Sequence, residues 1–144
     1  KEKKIEKLFL ESHWAYKNRI QEMRDYFEIP ITFKIGVETF DYDFRNGYLN
    51  KNAKFKTVEE LKEYFDSPCI MVGIKGQTRE MIDRDMDIVL NNFDHATINV
   101  FVNNTSSVKR DEELVNWFSN KYKHLVDNPK IEVLFNNTDF GVGD

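Results

Sequence analysis

The stretch from Cys69 to Asn104 constrains the fold more tightly than any other part of the chain. An apolar run, Cys69-Ile70-Met71-Val72-Gly73-Ile74, gives way to Lys75-Gly76-Gln77-Thr78; an amphipathic segment follows, and a second apolar run, Thr97 to Val102, ends in Asn103-Asn104. Runs of this length bounded by Gly and Asn read as strands, and the segment between them has helical spacing. A crossover that long joins parallel strands, so both polar ends lie at the same edge of one sheet. Parallel α/β sheets bind their ligands at that edge.

The unit recurs on both sides. Ile31 to Val37, β-branched and apolar after Pro30, reads as a buried strand ending in Glu38 and Thr39, and Ile131 to Phe135 as a last strand followed by Asn136, Asn137, Thr138 and Asp139. Thr57-Val58-Glu59-Glu60 carries a capping-box pattern ahead of Leu61, Tyr64 and Phe65. Thr78 is placed to cap a helix whose buried side is Ile82, Met86, Val89, Leu90 and Phe93. A further helix is predicted from Lys109 to Val126, with Leu114, Phe118, Tyr122 and Leu125 inward and Asp111, Glu112 and Glu113 in its first turn. Near the start, Ile5, Leu8, Phe9, Ser12, Tyr16, Ile20, Met23 and Phe27 share one helical stripe, which predicts a long helix ending before Pro30, with His13 and Trp14 off the stripe against a surface or a neighbour.

The expected class is therefore α/β, with about four parallel strands and helices held to a consistent side by right-handed crossovers. Such a sheet gathers Glu38 and Thr39, then Lys75, Gln77 and Thr78, then Asn103 and Asn104, then Asn136, Asn137 and Asp139 along one rim. Gly73 and Gly76 let a ligand or a neighbouring backbone come close, and amides at the helix start after Thr78 could face an anion. The connection after Glu38 is long, aromatic and acidic, so it is expected to be functional or locally helical. Its Tyr and Phe residues, from Tyr42 to Phe55, could also dock a partner.

Composition narrows the function by exclusion. The 144 residues suit one domain, and the formal charge of -4, with Lys and Arg dispersed among acids, does not indicate nucleic acid. No apolar segment approaches the ~20 residues of a membrane span and no signal-peptide core is present, so a cytoplasmic location is the default. Cys69 is the one cysteine, which rules out an internal disulfide or a four-thiolate metal site. Asp83, Asp85 and Asp87 are spaced two apart on a helix and do not face one another; they read as a solvated face. His13, His95 and His124 fall in a helix, at a strand start and at a helix end, and no nucleophile–base set emerges; His95, at the far end of its strand from the rim, reads as structural.

Two segments resemble a known family. Gly36-Val37-Glu38-Thr39-Phe40-Asp41, followed by Leu49-Asn50-Lys51, resembles the fourth-strand region of radical S-adenosylmethionine (SAM) enzymes, especially the coproporphyrinogen oxidase-like and elongator-like branches. Met71 to Thr78 resembles their fifth strand, where Gly-Leu-Pro-Gly-Gln-Thr opens the next helix, and Thr97 to Val102 stands where the sixth is found. The likeness runs from about Ile31 to Phe135. Cys69 replaces the Asp that opens the fifth strand in the coproporphyrinogen oxidase branch, and Lys75 replaces the usual Pro.

The resemblance implies a partial (β/α) barrel with SAM across the strand ends. It puts Glu38 on the ribose hydroxyls with Thr39 beside it, Lys51 on the methionine carboxylate, and Gly73, Lys75, Gly76 and Gln77 on the adenine side with Asn99 and Asn103. The Cys-x-x-x-Cys-x-x-Cys loop for a [4Fe-4S] cluster is missing, so the cluster and any reducing partner belong to a longer parent. On this reading residues 1–144 are the C-terminal two-thirds of the barrel, inactive alone, with Ile31–Val37 at an exposed sheet edge and a small-molecule substrate whose identity the sequence leaves open. The competing expectation is a self-contained, non-catalytic α/β module that binds a nucleotide-like molecule or a protein.

Overall fold

A computed structural model describes residues 8–135. Five strands form one sheet in the order β1 (Leu8–Glu11), β2 (Ile31–Glu38), β3 (Ser67–Val72), β4 (Ala96–Val100) and β5 (Ile131–Leu134), every neighbouring pair parallel. The sheet curls into part of a (β/α) barrel. Helices α1 (Ile20–Tyr26), α2 (Val58–Lys62), α3 (Arg79–Asn92) and α4 (Glu112–Lys121) connect the strands, joined by 3-10 turns at Trp14–Arg19 and Lys123–Asp127 and a π-helical turn at Phe44–Tyr48.

Alternation along the strands divides the sheet into two faces. Phe33, Ile35, Val37, Ile70, Val72, Ala96, Ile98, Val100 and Ile131 pack with Leu61, Ile82, Met86, Val89, Leu114, Phe118 and Leu125 of the helical layer in one core. The strand residues between them therefore point to the inner, concave face: Glu11; Lys34, Gly36 and Glu38; Ser67, Cys69 and Met71; Thr97 and Asn99; Glu132. The register places Glu11 beside Lys34, Cys69 beside Thr97, and Met71 beside Asn99.

The caps form as the sequence predicts. Thr57 accepts from Glu60 N at 3.1 Å and Thr78 from Met81 N at 3.1 Å. Glu60, however, reaches back to Lys56 N rather than to Thr57 N. Helix α4 begins at Glu112, not Lys109, because Asp111 is itself the cap, accepting from Leu114 N.

The expected long helix before Pro30 does not exist. Leu8–Glu11 is a strand, followed by a 3-10 turn that His13 caps and a helix of two turns. The apolar stripe was ambiguous there: Leu8 and Leu10 also satisfy a period of two, and pairing decided between the readings. The flanking amides Leu8 N and Ser12 N donate to Pro30 O and Lys34 O, each at 3.0 Å. The sheet thus has five strands rather than about four; β1 pairs with the first half of β2, Ile31 to Lys34, and the edge strands among the described residues are β1 and β5. Leu90, expected inside, is exposed. Asn136, Asn137, Thr138 and Asp139 lie outside the described residues, as does Ile5.

Candidate functional site

The carboxyl edge of the sheet begins with Glu38. It closes β2 in the left-handed region, at φ 69°, where the β2–β3 register shifts between Gly36 and Glu38. The distortion folds its carboxylate back over the inner face of Gly36. A Cβ on Gly36 would lie 3.0 Å from Lys51 Nζ and 3.2 Å from Glu38 Oε1, so the glycine makes room for both groups. Lys51 Nζ stands 3.3 Å from Glu38 Oε1. Burial raises the Glu38 carboxyl above its ordinary value, and the Lys51 charge opposes that rise.

Lys51 reaches this place through the long connection, which is a built structure rather than a loose loop. Asn50 and Asn52 on either side take positive φ, which Asn tolerates better than most residues. His13 Nδ1 accepts from Ala15 N, which leaves the proton on Nε2, and Nε2 donates to Lys51 O at 3.2 Å. Arg45 is buried and donates to Ala53 O, Thr39 O and Phe55 O at 2.8, 3.1 and 2.6 Å while stacking 3.8 Å over the Phe55 ring. Burial lowers its pKa, but the three carbonyls and nearby acids favour the charge. Trp14 fills the space beneath with Phe55, Tyr64 and Phe65.

Thr39 does not face the concave side. It is fully buried; its hydroxyl donates to Asp85 Oδ2 at 2.7 Å and accepts from Asp41 N at 3.1 Å. Phe40 N donates to Asp85 Oδ1 at 2.8 Å. Asp85 is only 1% exposed, which corrects the expectation of a solvated face, and burial pushes its carboxyl up to about 7 against those hydrogen bonds. Asp83 is bound by Lys121 and the Tyr122 hydroxyl, tying α3 to α4, and only Asp87 of the three is plainly exposed.

The Gly73–Gly76 loop is held from within. Gln77 Oε1 accepts from Gly73 N and Ile74 N at 3.0 and 3.1 Å, and Gln77 Nε2 donates to Met71 O at 2.9 Å. The Gln77 side chain and those two amides are thus engaged inside the loop. Gly73 and Gly76 have φ of 94° and 105°, and a Cβ on Gly73 would meet Val115 Cγ2 at 2.4 Å. Lys75 presents an exposed side chain; its backbone is pinned to Lys109 O and by the Tyr48 hydroxyl. Asn103 is also exposed, its Oδ1 accepting from Arg110 N at 2.8 Å.

On the concave face of β4, Asn99 and Thr97 are each 3% exposed; Asn99 Oδ1 has no hydrogen-bond partner and Thr97 Oγ1 has none stronger than the neighbouring Cys69 thiol. The Cys69 thiol lies beside Thr97, raised to about 11 by burial and so kept neutral, with Lys34 and Glu11 nearby. At the opposite end of the strands Ser67 Oγ and His95 Nδ1 lie 2.6 Å apart, the place expected for a structural histidine.

The structure therefore brings Glu38, Lys51, Gly73, Gly76 and Asn99 to the inner side of one rim, turns Thr39 and Gln77 into braces beneath it, and leaves Lys75 and Asn103 at its outer margin. Sequence reasoning missed Asp85, Arg45 and His13. A signal for Asp85 was present, since it falls on the helical stripe with Ile82, Met86 and Val89. Arg45 and His13 had none, because their partners are backbone carbonyls brought near only by folding.

The donor set fits the group that the sequence motifs imply. A carboxylate at the end of β2 can accept from two vicinal hydroxyls, and an ammonium beside it can meet a carboxylate. Three thiolate ligands cannot come from a chain with one cysteine, and among the described residues no cluster of His, Cys, Asp and Glu is placed to hold a metal ion. Among those residues no helix is long and apolar enough to cross a membrane.

Comparison with known proteins is narrow but close. No family model and no curated protein matches the chain. Among solved structures, the queuine lyase from Clostridium spiroforme bound to SAM and queuine superimposes with a TM-score of 0.92 and is 51% identical over 97% of this chain. The chain spans 61% of the length of that protein. The likeness shows that the two chains share the partial (β/α) barrel fold.

Proposed function

We propose that these residues form the cofactor-binding part of the barrel of a radical SAM lyase that acts on queuine or a closely related deazaguanine base. The observation that carries the reading is the Glu38–Lys51 pair at the end of β2, on a chain 51% identical to a lyase bound to SAM and queuine. Glu38 binds the ribose hydroxyls, Lys51 the methionine carboxylate, and the Gly73–Gly76 backbone lies beside the adenine, with Lys75 and Asn103 at its margin. Thr39 and Gln77 serve the cofactor indirectly, by holding Glu38 and the loop. When bound, SAM together with a [4Fe-4S] cluster would supply radical chemistry at the substrate, these residues holding the SAM part of that pair. The cluster cysteines and the reducing partner belong to segments beyond these residues, and this part alone is inactive. The motifs at Gly36–Asp41 and Gly73–Thr78 favour the coproporphyrinogen oxidase-like and elongator-like branches, and a cytoplasmic site of action suits the oxygen-sensitive chemistry.

Glu38 and Lys51 neutralise each other before binding, so the pair must part as the cofactor's hydroxyls and carboxylate take their places. Gly36 leaves room for that rearrangement, and His13 and Arg45 hold the backbone from which Lys51 extends. The test is anaerobic purification of the native gene product, with mass, iron content and calorimetric SAM titration. A mass above that of these residues, about four irons per chain, and SAM affinity that drops at least tenfold in Glu38→Ala are expected. A mass matching these residues, no iron and no SAM binding would instead establish the self-contained binding module.

A further inference from the structure

The concave face of β4 holds two buried polar groups, Thr97, which the cofactor reading leaves unused, and Asn99, which it set beside the adenine. Thr97 and Asn99 project from the same face of β4, two residues apart and so about 6.6 Å along the strand, roughly the width of a bicyclic heteroaromatic ring. Both are 3% exposed, and Thr97 Oγ1 and Asn99 Oδ1 lack hydrogen-bond partners. Most buried polar atoms in folded proteins are paired, so two orphans on one strand face call for an explanation. The Cys69 thiol beside Thr97 is at best a weak partner. The amides of Gly73 and Ile74 are already taken by Gln77; Thr97 pairs with Cys69, one step below the Ile70 that Glu38 faces, and Asn99 pairs with Met71, one step above it.

We propose that Thr97 and Asn99 form a hydrogen-bonding edge that receives the N–H donors of a planar heterocyclic base inside the barrel. Asn99 Oδ1 accepts from a ring or exocyclic N–H, and Thr97 Oγ1 accepts or donates next to it. The inference rests on the proposed function, which supplies two sources of such a base, the adenine of SAM and the deazaguanine of queuine. Thr97, one step below the level of Glu38, faces the substrate side, and Asn99, one step above it, stands at the rim where the two bases meet.

Thr97→Val and Asn99→Leu keep volume and remove the unpaired atoms. In the native gene product purified anaerobically, SAM and queuine are titrated separately by calorimetry, and thermal unfolding of the ligand-free protein is followed in parallel. The expected result is about tenfold weaker queuine binding for each variant, SAM binding unchanged in Thr97→Val, and a ligand-free melting temperature close to that of the parent. Weakened SAM binding with unchanged queuine binding would support the edge with adenine as its base. Unchanged affinity for both ligands would overturn the proposal, as would a fall in affinity matched by a fall in ligand-free melting temperature, which would mark the two residues as structural. If the parent protein binds neither ligand, it is the proposed function that fails.

Discussion

Replacing Asp85 tests how the rim is held. Its carboxyl, 1% exposed, takes hydrogen bonds from Thr39 Oγ1 at 2.7 Å and Phe40 N at 2.8 Å, directly behind Glu38. Burial is the dominant influence and raises its pKa from 3.8 to about 7, with Thr39, Phe40 and Arg84 opposing and Asp41 adding to the rise. The folded state therefore binds this proton more tightly than the unfolded chain. The contribution to stability is fully present below pH about 4 and is lost as pH rises through about 7. At 1.36 kcal/mol per unit, a shift of roughly three units amounts to about 4 kcal/mol. Asp85→Asn keeps an acceptor for Phe40 N but removes the acceptor for the Thr39 hydroxyl, at a cost of about 1 kcal/mol. The variant should be somewhat less stable than the parent at pH 4 and more stable at pH 8. Urea unfolding from pH 4 to 8, followed by fluorescence, gives the difference between the two proteins, in which the other titrating groups cancel. A difference that stays constant across that range would refute the assignment of a protonatable, buried Asp85.

Three other outcomes follow from the geometry. Gly73→Ala adds a Cβ 2.4 Å from Val115 Cγ2 at a φ of 94°, so it should destabilise by about 3 kcal/mol, and a Val115→Ala background should recover the steric share in a double-mutant cycle. Arg45→Met strips the donors from Thr39 O and Phe55 O and should destabilise by about 3 kcal/mol in urea, with Arg45→Lys only partly better because an ammonium cannot match the fork of bonds. SAM affinity should weaken as pH falls through the raised pKa of Glu38, because hydroxyls bind the ionised carboxylate, and Glu38→Gln should bind weakly with little pH dependence; a parallel pH profile in the two proteins would argue against ribose recognition by Glu38.

The sequence by itself determined much of the frame. Apolar runs at Ile31, Cys69, Thr97 and Ile131 became parallel strands because period and length left no competing element, and Thr57 and Thr78 capped their helices because capping is a local hydrogen bond between a side chain and an amide three residues on. The position of Glu38 and Lys51 at one rim was legible from the motif around them. Tertiary structure alone decided the rest. Leu8–Glu11 satisfies helical and strand periods alike, and only the free edge of β2 made it a strand. Asp85 looked like one of three solvated acids until Thr39 and Phe40, 46 and 45 residues away, closed over it. The orphaned atoms of Thr97 and Asn99 and the carbonyl cage of Arg45 have no sequence signature, because a polar group's burial depends on which distant backbone folds against it.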